Sequence, residues 1–304
     1  MLMCAGVIWA QDYPSKPIRI ITGAAGGGSD FTSRQIAQAM SPAIGQPVVV
    51  DNRATTILAA DGGAKAPADG YYMFMVGSSA WIFQILQKAP YDANDFVPIS
   101  LVERSANIVA VHPSVPAKSI RELIALAKAR PGELNYASIS IGGPQHLAGE
   151  LFKSMAGVNI THIPYKANAP AITALISGEV QLYISDVGLL LPHVKTGKMR
   201  ALAVSSLEKS ALVPDLPTVA SAGLPGYEMI GVTGVFAPPK TPATFVSRLN
   251  REIVRVLALP DVKERFLTAG VEIIGSTPEQ LATKVKADLV GIAKLVKDAG
   301  IKIQ

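Results

Sequence analysis

The stretch "ITGAAGGGSDF", residues 21–31, holds the densest chemical potential of the chain. An apolar run ends at Thr22. Gly23 and Ala25 lead to three consecutive glycines, Gly26, Gly27 and Gly28, and Ser29 and Asp30 then open a helical pattern. Glycine loses more conformational freedom on folding than any other residue, so three in a row need a reason. A strand, a glycine loop and a helix start place bare N–H groups at the positive end of a helix, where an anion can sit. A second loop of this kind lies in "YASISIGGPQHLAGE": a strand ends near Ser138, Ile141, Gly142 and Gly143 turn, Pro144 opens a helix and His146 falls in its first turn. Two further strand ends carry polar side chains, "VGSSAW" with Ser78, Ser79 and Trp81, and "YISDVG" with Ser185 and Asp186. Tyr165, closing "NITHIPY", completes the candidate ligand contacts.

The first loop matches neither nucleotide fingerprint. A dinucleotide turn needs G-x-G-x-x-G, and the sixth position from Gly26 is Phe31; a P-loop needs a lysine after its last glycine, where this chain has Ser29. Two readings stay open: a turn that permits close packing, and a backbone cradle for a carboxylate. Asp30 caps the helix or contacts the ligand. Catalysis has little support. There is no G-x-S-x-G elbow. His112, His146, His162 and His193 lack H-E-x-x-H or other close ligand spacing, so neither metal nor cofactor is expected. An enzyme acting on a small carboxylic acid is the rival to a binding protein.

With 304 residues, 49% apolar and 17% charged, the chain suits one large or two ordinary globular domains. The formal charge is +5, but Lys and Arg are scattered and aromatics make up only 6%, which argues against nucleic acid as a partner. The single cysteine, Cys4, lies in "MLMCAGVIWA", an apolar segment without a charged start. Residues 1–10 read as the remnant of a secretory signal with Ala10 at its cleavage site; the alternative is an apolar tail of the mature chain. Cleavage would remove the cysteine, and with it disulfide and thiolate chemistry.

The elements that must hold these loops alternate strand and helix. Strands are expected at 18–22, 48–50, 71–76 and 107–113, in "ELNYAS", "NITHIPY", "VQLYIS" and "MRALAVSS", and from 231. Helices are expected at 31–40, in "SIRELIALAKA" behind a Ser119/Glu122 capping box, from Pro144, in "APAITALISG", at 242–258 and 261–269, and after Thr277. Such a rhythm implies parallel sheets covered by helices, with ligands at the carboxyl ends of the strands.

"YPSKPIRIITGAAGGGSD", "IGQPVVVDNR", "DGYYMFMVGSSA", "PYDANDFVPISLV", "HLAGELFKSMAGVNITHIPYK", "LPHVKTGKMRALAVSS" and "VPDLPTVASAGLPGYE" run in order from about residue 13 onward. In these stretches the chain resembles the Bug-type periplasmic receptors of tripartite tricarboxylate transporters. The resemblance implies an α/β fold of two doubly wound domains with a central cleft, like a type II periplasmic binding protein. It implies residues 12–107 and 232–304 in one domain, 108–231 in the other, and a double crossover between them. It implies a monomer in the periplasm that holds a small organic carboxylate on backbone N–H groups of the two glycine loops and serves an inner-membrane permease. The chain departs from the pattern where Gly23, Ala24 and Ala25 replace aromatic and proline residues, and where "ATTILAADGG" replaces a glycine-rich segment. These changes, with Trp81 and Phe83 as walls, lead to the expectation of a roomier, more apolar pocket. Such a pocket favours an aromatic carboxylate or a medium-length dicarboxylate.

Overall fold

A computed structural model describes residues 13–139 and 141–301. The expected signal remnant at 1–10 lies outside them.

Strand β1 (Ile18–Thr22) buries Ile18 and Ile20 on one face and Ile21 on the other and becomes an interior strand, with β2 (Val48–Asn52) and β3 (Tyr72–Gly77) parallel to it on either side. Helices α1 (Gly28–Ile44) and α2 (Thr56–Ala64) make the crossovers. After α3 (Ser79–Leu86) the chain forms β4 (Val97–Ser105) and passes through Ala106 straight into β5 (Asn107–Val111) of a second sheet. There follow α4 (Ile120–Ala129), β6 (Asn135–Ser138), α5 (Pro144–Ala156), β7 (Thr161–Pro164), α6 (Asn168–Ser177), β8 (Leu182–Asp186), α7 (Val187–Lys195) and β9 (Arg200–Val204). The chain returns over residues 205–230 to β10 (Gly231–Ala237), then α8 (Ala243–Leu257), α9 (Pro260–Thr268), β11 (Glu272–Ile273) and α10 (Pro278–Asp298).

The strand orders are β11-β4-β10-β3-β1-β2 and β7-β6-β8-β5-β9. The sheets are mixed, which corrects the expectation of parallel sheets. β10 runs antiparallel to β3 and β4, β11 runs antiparallel to β4, and β5 runs antiparallel to β8 and β9. The reason lies in the crossings. β10 enters with Thr233 opposite Gly77, the last residue of β3, and β5 enters with Asn107 opposite Asp186, the last residue of β8. A strand arriving from the other sheet begins where the parallel strands finish, so it must run against them. Both crossings therefore lie at the carboxyl ends of parallel strands.

Alternate residues of the first sheet feed separate cores. Ile20, Met73, Met75 and Val235 meet Ile253 of α8 and Phe266 of α9, whereas Ile21, Phe74, Val76 and Phe236 meet Trp81 and Leu281. Helix α10 begins in a full capping box between Thr277 and Gln280, and its far end joins Ile292 and Leu295 to Leu147 of α5. The box expected at Ser119 is only half formed: Ser119 caps Glu122 N–H, but the Glu122 carboxylate accepts from Lys118 N–H.

Candidate functional site

The first loop is set by hydrogen bonds around Asp30. Gly26 takes φ +80°, a left-handed value that suits glycine, and its N–H donates to the Asp30 carboxylate at 2.9 Å. The same carboxylate accepts from Arg34 Nε at 3.0 Å and Asn52 Nδ2 at 2.8 Å. Burial alone would raise the Asp30 pKa; the donors from Arg34, Gly26 and Asn52 outweigh it and hold the group down at about 2. Asp30 is thus engaged in tying the loop to its own helix and to β2. Gly27 is the N-cap of α1, with its N–H on the Ala24 carbonyl at 3.1 Å and no side-chain cap. The helix opening at Gly28 and Ser29 points its first N–H groups outward. Gly23 is buried below, its carbonyl bonded to Asn52 Nδ2 at 2.8 Å, and a Cβ there would touch Thr56 Oγ1 at 3.5 Å. Thr56 is thus the nearest neighbour on the side where a Gly23 side chain would stand.

The second loop repeats the first. Gly142 takes φ +77°, Gly143 is the N-cap and Pro144 is the first helical residue, as its missing N–H allows. The Gly142 N–H donates to His146 Nδ1 at 2.9 Å. That bond requires an unprotonated Nδ1. His146 is buried and stacks on His162 with ring centroids 4.1 Å apart, and His162 stacks in turn on Tyr136 at 4.9 Å. The Tyr136 hydroxyl and Lys153 Nζ both donate to Glu150 Oε1 at 2.7 Å. Burial pushes His146 below the usual imidazole range. It also pushes His162 down, with help from His146, to about 4.

Between the sheets lies a cavity of about 200 Å³ lined by Gly77, Ser78, Ser79, Glu103, Ser105, Pro144 and the start of β10 at Gly231, Val232 and Thr233. It brings together the carboxyl ends of β3 and β4, the entry of β10 and the first residue of α5. Of the residues singled out in the sequence, Ser78 and Ser79 line it, and the second loop reaches it through Pro144. Asp186 joins from the side: Ser105 Oγ donates to its Oδ2, and Gly188 N–H to its Oδ1 at 2.8 Å. The first loop approaches through α1, whose Thr32 hydroxyl donates to Glu103.

Other expected contacts are placed elsewhere. Trp81 is fully buried in the core against Phe236, and its indole N–H donates to Asp288 at 3.0 Å; it forms no wall of the cavity, which corrects the expectation. Its place is fixed by the turn of α3, which points it at α10. Ser138 is fully buried, with Oγ 2.6 Å from His162 Nε2, and so positions the imidazole stack. The Tyr165 hydroxyl donates to Glu179 at 2.8 Å. Ile141, Ala25, Gly26, Gly27 and Gly28 are exposed around the two loops.

Glu103 was missed by sequence reasoning. It sits in "SLVERS" with no motif around it; the available signal was a pair of charges, Glu103 and Arg104, at the end of a mostly apolar strand. Both its oxygens are engaged by hydroxyls, Thr32 on Oε2 and Thr233 on Oε1, and burial raises its pKa against the pull of those two donors. Among the described residues, no cluster of three or more His, Cys, Asp or Glu could hold a metal ion, and no helix is long and apolar enough to cross a membrane.

Residues 32–301 match the tripartite tricarboxylate transporter family receptor, TctC. A protein of the tcbD-tcbE intergenic region of Pseudomonas sp. strain P51 is 36% identical over 290 residues, 93% of this chain and 86% of its own length. Protein BugT of Bordetella pertussis is 34% identical over 307 residues, 99% of this chain and 94% of its own. Among solved structures, R. palustris Rpa4515 with adipate is 35% identical with a TM-score of 0.73, covering 96% of this chain and 99% of that one.

Proposed function

The chain belongs to the TctC family of tripartite tricarboxylate transporter receptors as a Bug-type member, and from that premise we propose that it captures an organic carboxylate between its two sheets in the periplasm and delivers it to an inner-membrane permease. The observation that carries the reading is the twin loop. Two helix N-termini, each behind a left-handed glycine and a glycine N-cap, open at the carboxyl ends of strands; the second reaches the cavity at Pro144, and the first is tied to the cavity wall by the Thr32–Glu103 hydrogen bond. N-terminal N–H groups and the helix dipole favour a carboxylate without a paired cation.

At about 200 Å³ the cavity is smaller than the roughly 300–1,000 Å³ of drug-sized pockets and suits a small metabolite. With Trp81 in the core, an aromatic preference loses one of its two expected walls, while Phe83 is half-buried. A six-carbon acid keeps support from Rpa4515, which was solved with adipate. An enzyme reading gains nothing from the Ser138–His162 pair: it has the spacing of nucleophile and base, but Ser138 is fully buried.

We read residues 12–107 with 232–304, and residues 108–231, as the two domains that close on the solute, with the crossings as hinges. A thermal-shift screen of carboxylates, followed by mass spectrometry of the recovered ligand, tests the function. A receptor is stabilised by mass action and returns its ligand unchanged; chemical conversion of the stabilising acid would overturn the reading. X-ray scattering should show a smaller radius of gyration at saturation.

A further inference from the structure

The cavity between the sheets carries one ionisable group on its wall, and it is an acid. Glu103 lines it together with serines, glycines, Val232, Thr233 and Pro144, and among the described residues no Lys, Arg or His lines it. Among the described residues Glu103 makes no ion pair: the adjacent Arg104 is committed to Glu272 and Glu208, each at 2.8 Å. A second carboxylate, Asp186, stands behind Ser105 on the same side. Thr32 and Thr233 use one lone pair on each Glu103 oxygen and leave others free to accept. Pro144, the first residue of α5, lines the same cavity as Glu103, so a solute carboxylate seated on the opening of the second loop would share that cavity with Glu103.

A solute with carboxylates at both ends would bring a second negative charge toward Glu103 and Asp186, and like charges in a desolvated site oppose each other. A solute with a protonated nitrogen at the far end would meet a half-satisfied carboxylate that needs such a partner. Resting on the reading of the cleft as a carboxylate site, we propose that Glu103 is the specificity-determining residue of this receptor and selects amino carboxylates, solutes that pair a carboxylate with an ammonium group. Sites built to hydrogen-bond a substrate group discriminate strongly against analogues that lack it.

Calorimetry with length-matched pairs tests this: 6-aminohexanoate against adipate, and glutamate against glutarate. The wild-type protein should bind at least one amino acid tenfold or more tightly than its dicarboxylate partner. Glu103→Gln should erase that preference by weakening the amino acid and strengthening the dicarboxylate. Dicarboxylates bound as tightly as their amino partners, or a preference unchanged in Glu103→Gln, would overturn the inference while leaving the carboxylate reading intact. Binding of none of the four acids would overturn both. If Glu103→Gln does not fold, as judged by circular dichroism, the wild-type ratio alone decides.

Discussion

Asp30 and His146 hold the same post in two different helices. Each is the third helical residue, and each accepts, at 2.9 Å, the N–H of a left-handed glycine four positions earlier. The two N-cap glycines agree as well, with φ and ψ of −81° and 168° at Gly27 and −70° and 167° at Gly143. An acid in one loop and an imidazole in the other do one job, which is to fix the turn that aims a helix N-terminus.

Asp30→Asn should cost about 2 kcal/mol at neutral pH, because a carboxyl held near 2 gains roughly that much from its ionised state. The sign follows from the depressed pKa: the contribution is present above the unfolded value near 4 and is lost as pH falls through about 2. Urea denaturation of both proteins at pH 7 and pH 2.5 should show a gap that shrinks in acid. A gap independent of pH would refute the account.

The imidazole stack should make stability fall between pH 6.5 and 4. His162 is held at about 4 in the fold against about 6.5 in an unfolded chain, so the unfolded state takes up the proton first. The groups facing the pair are Glu150, which favours the charged form, and Lys153, which opposes it; Tyr136 stacks beside them. His162→Gln should flatten the denaturation midpoint across this window. Solute affinity should drop only once the pH falls below the depressed range of His146, because a proton on His146 Nδ1 would remove the acceptor of Gly142.

Gly26 and Gly27 should fail in different ways. At Gly26 a Cβ meets nothing within 4 Å, so Gly26→Ala should cost only the about 1–2 kcal/mol of a left-handed residue. Gly27 has an ordinary φ, so no backbone strain is expected there, but a Cβ would sit 3.2 Å from the Ala24 carbonyl. Gly27→Val should crowd the approach to the helix opening and weaken solute binding at least tenfold. Calorimetry on folded Gly27→Val that returned wild-type affinity would remove this loop from the site.

Lys284 should matter far more than its surface counterparts. Its mostly buried ammonium joins Asp288 of its own helix at 3.0 Å and Glu228 of the return crossing at 3.3 Å. Lys284→Met strands Glu228 and leaves Asp288 with the Trp81 indole alone, and should cost about 2–3 kcal/mol, somewhat below a fully buried pair. Lys16→Met, which breaks an exposed pair with Asp69, should cost less than about 1 kcal/mol. Thermal unfolding of the two variants side by side distinguishes them.

The two glycine loops were legible because strand end, glycines and helix start adjoin in sequence. Trp81 and Glu103 were not legible, since each takes its role from a distant segment: Asp288 of α10 for the indole, Thr32 and Thr233 for the carboxylate. Helix α2 is not among the helices expected from the sequence, and it contains Gly62 and Gly63, both poor helix formers. Gly63 is there because a Cβ would lie 2.2 Å from the Phe74 ring, a packing demand invisible to local propensity. The antiparallel placement of β5 and β10 depends on where the chain changes sheets, which no local pattern encodes.

Helix α5 has its first residue at the cleft and, one turn on, Leu147 wedged against Ile292 and Leu295 of α10. Packed side chains do not stretch, so a shift of α5 on its seat must be passed to α10. Val290, on the outward side of α10, is 66% exposed and rides with it. Helix α5 thus has one end in the cleft wall and one flank on a helix whose far side meets solvent.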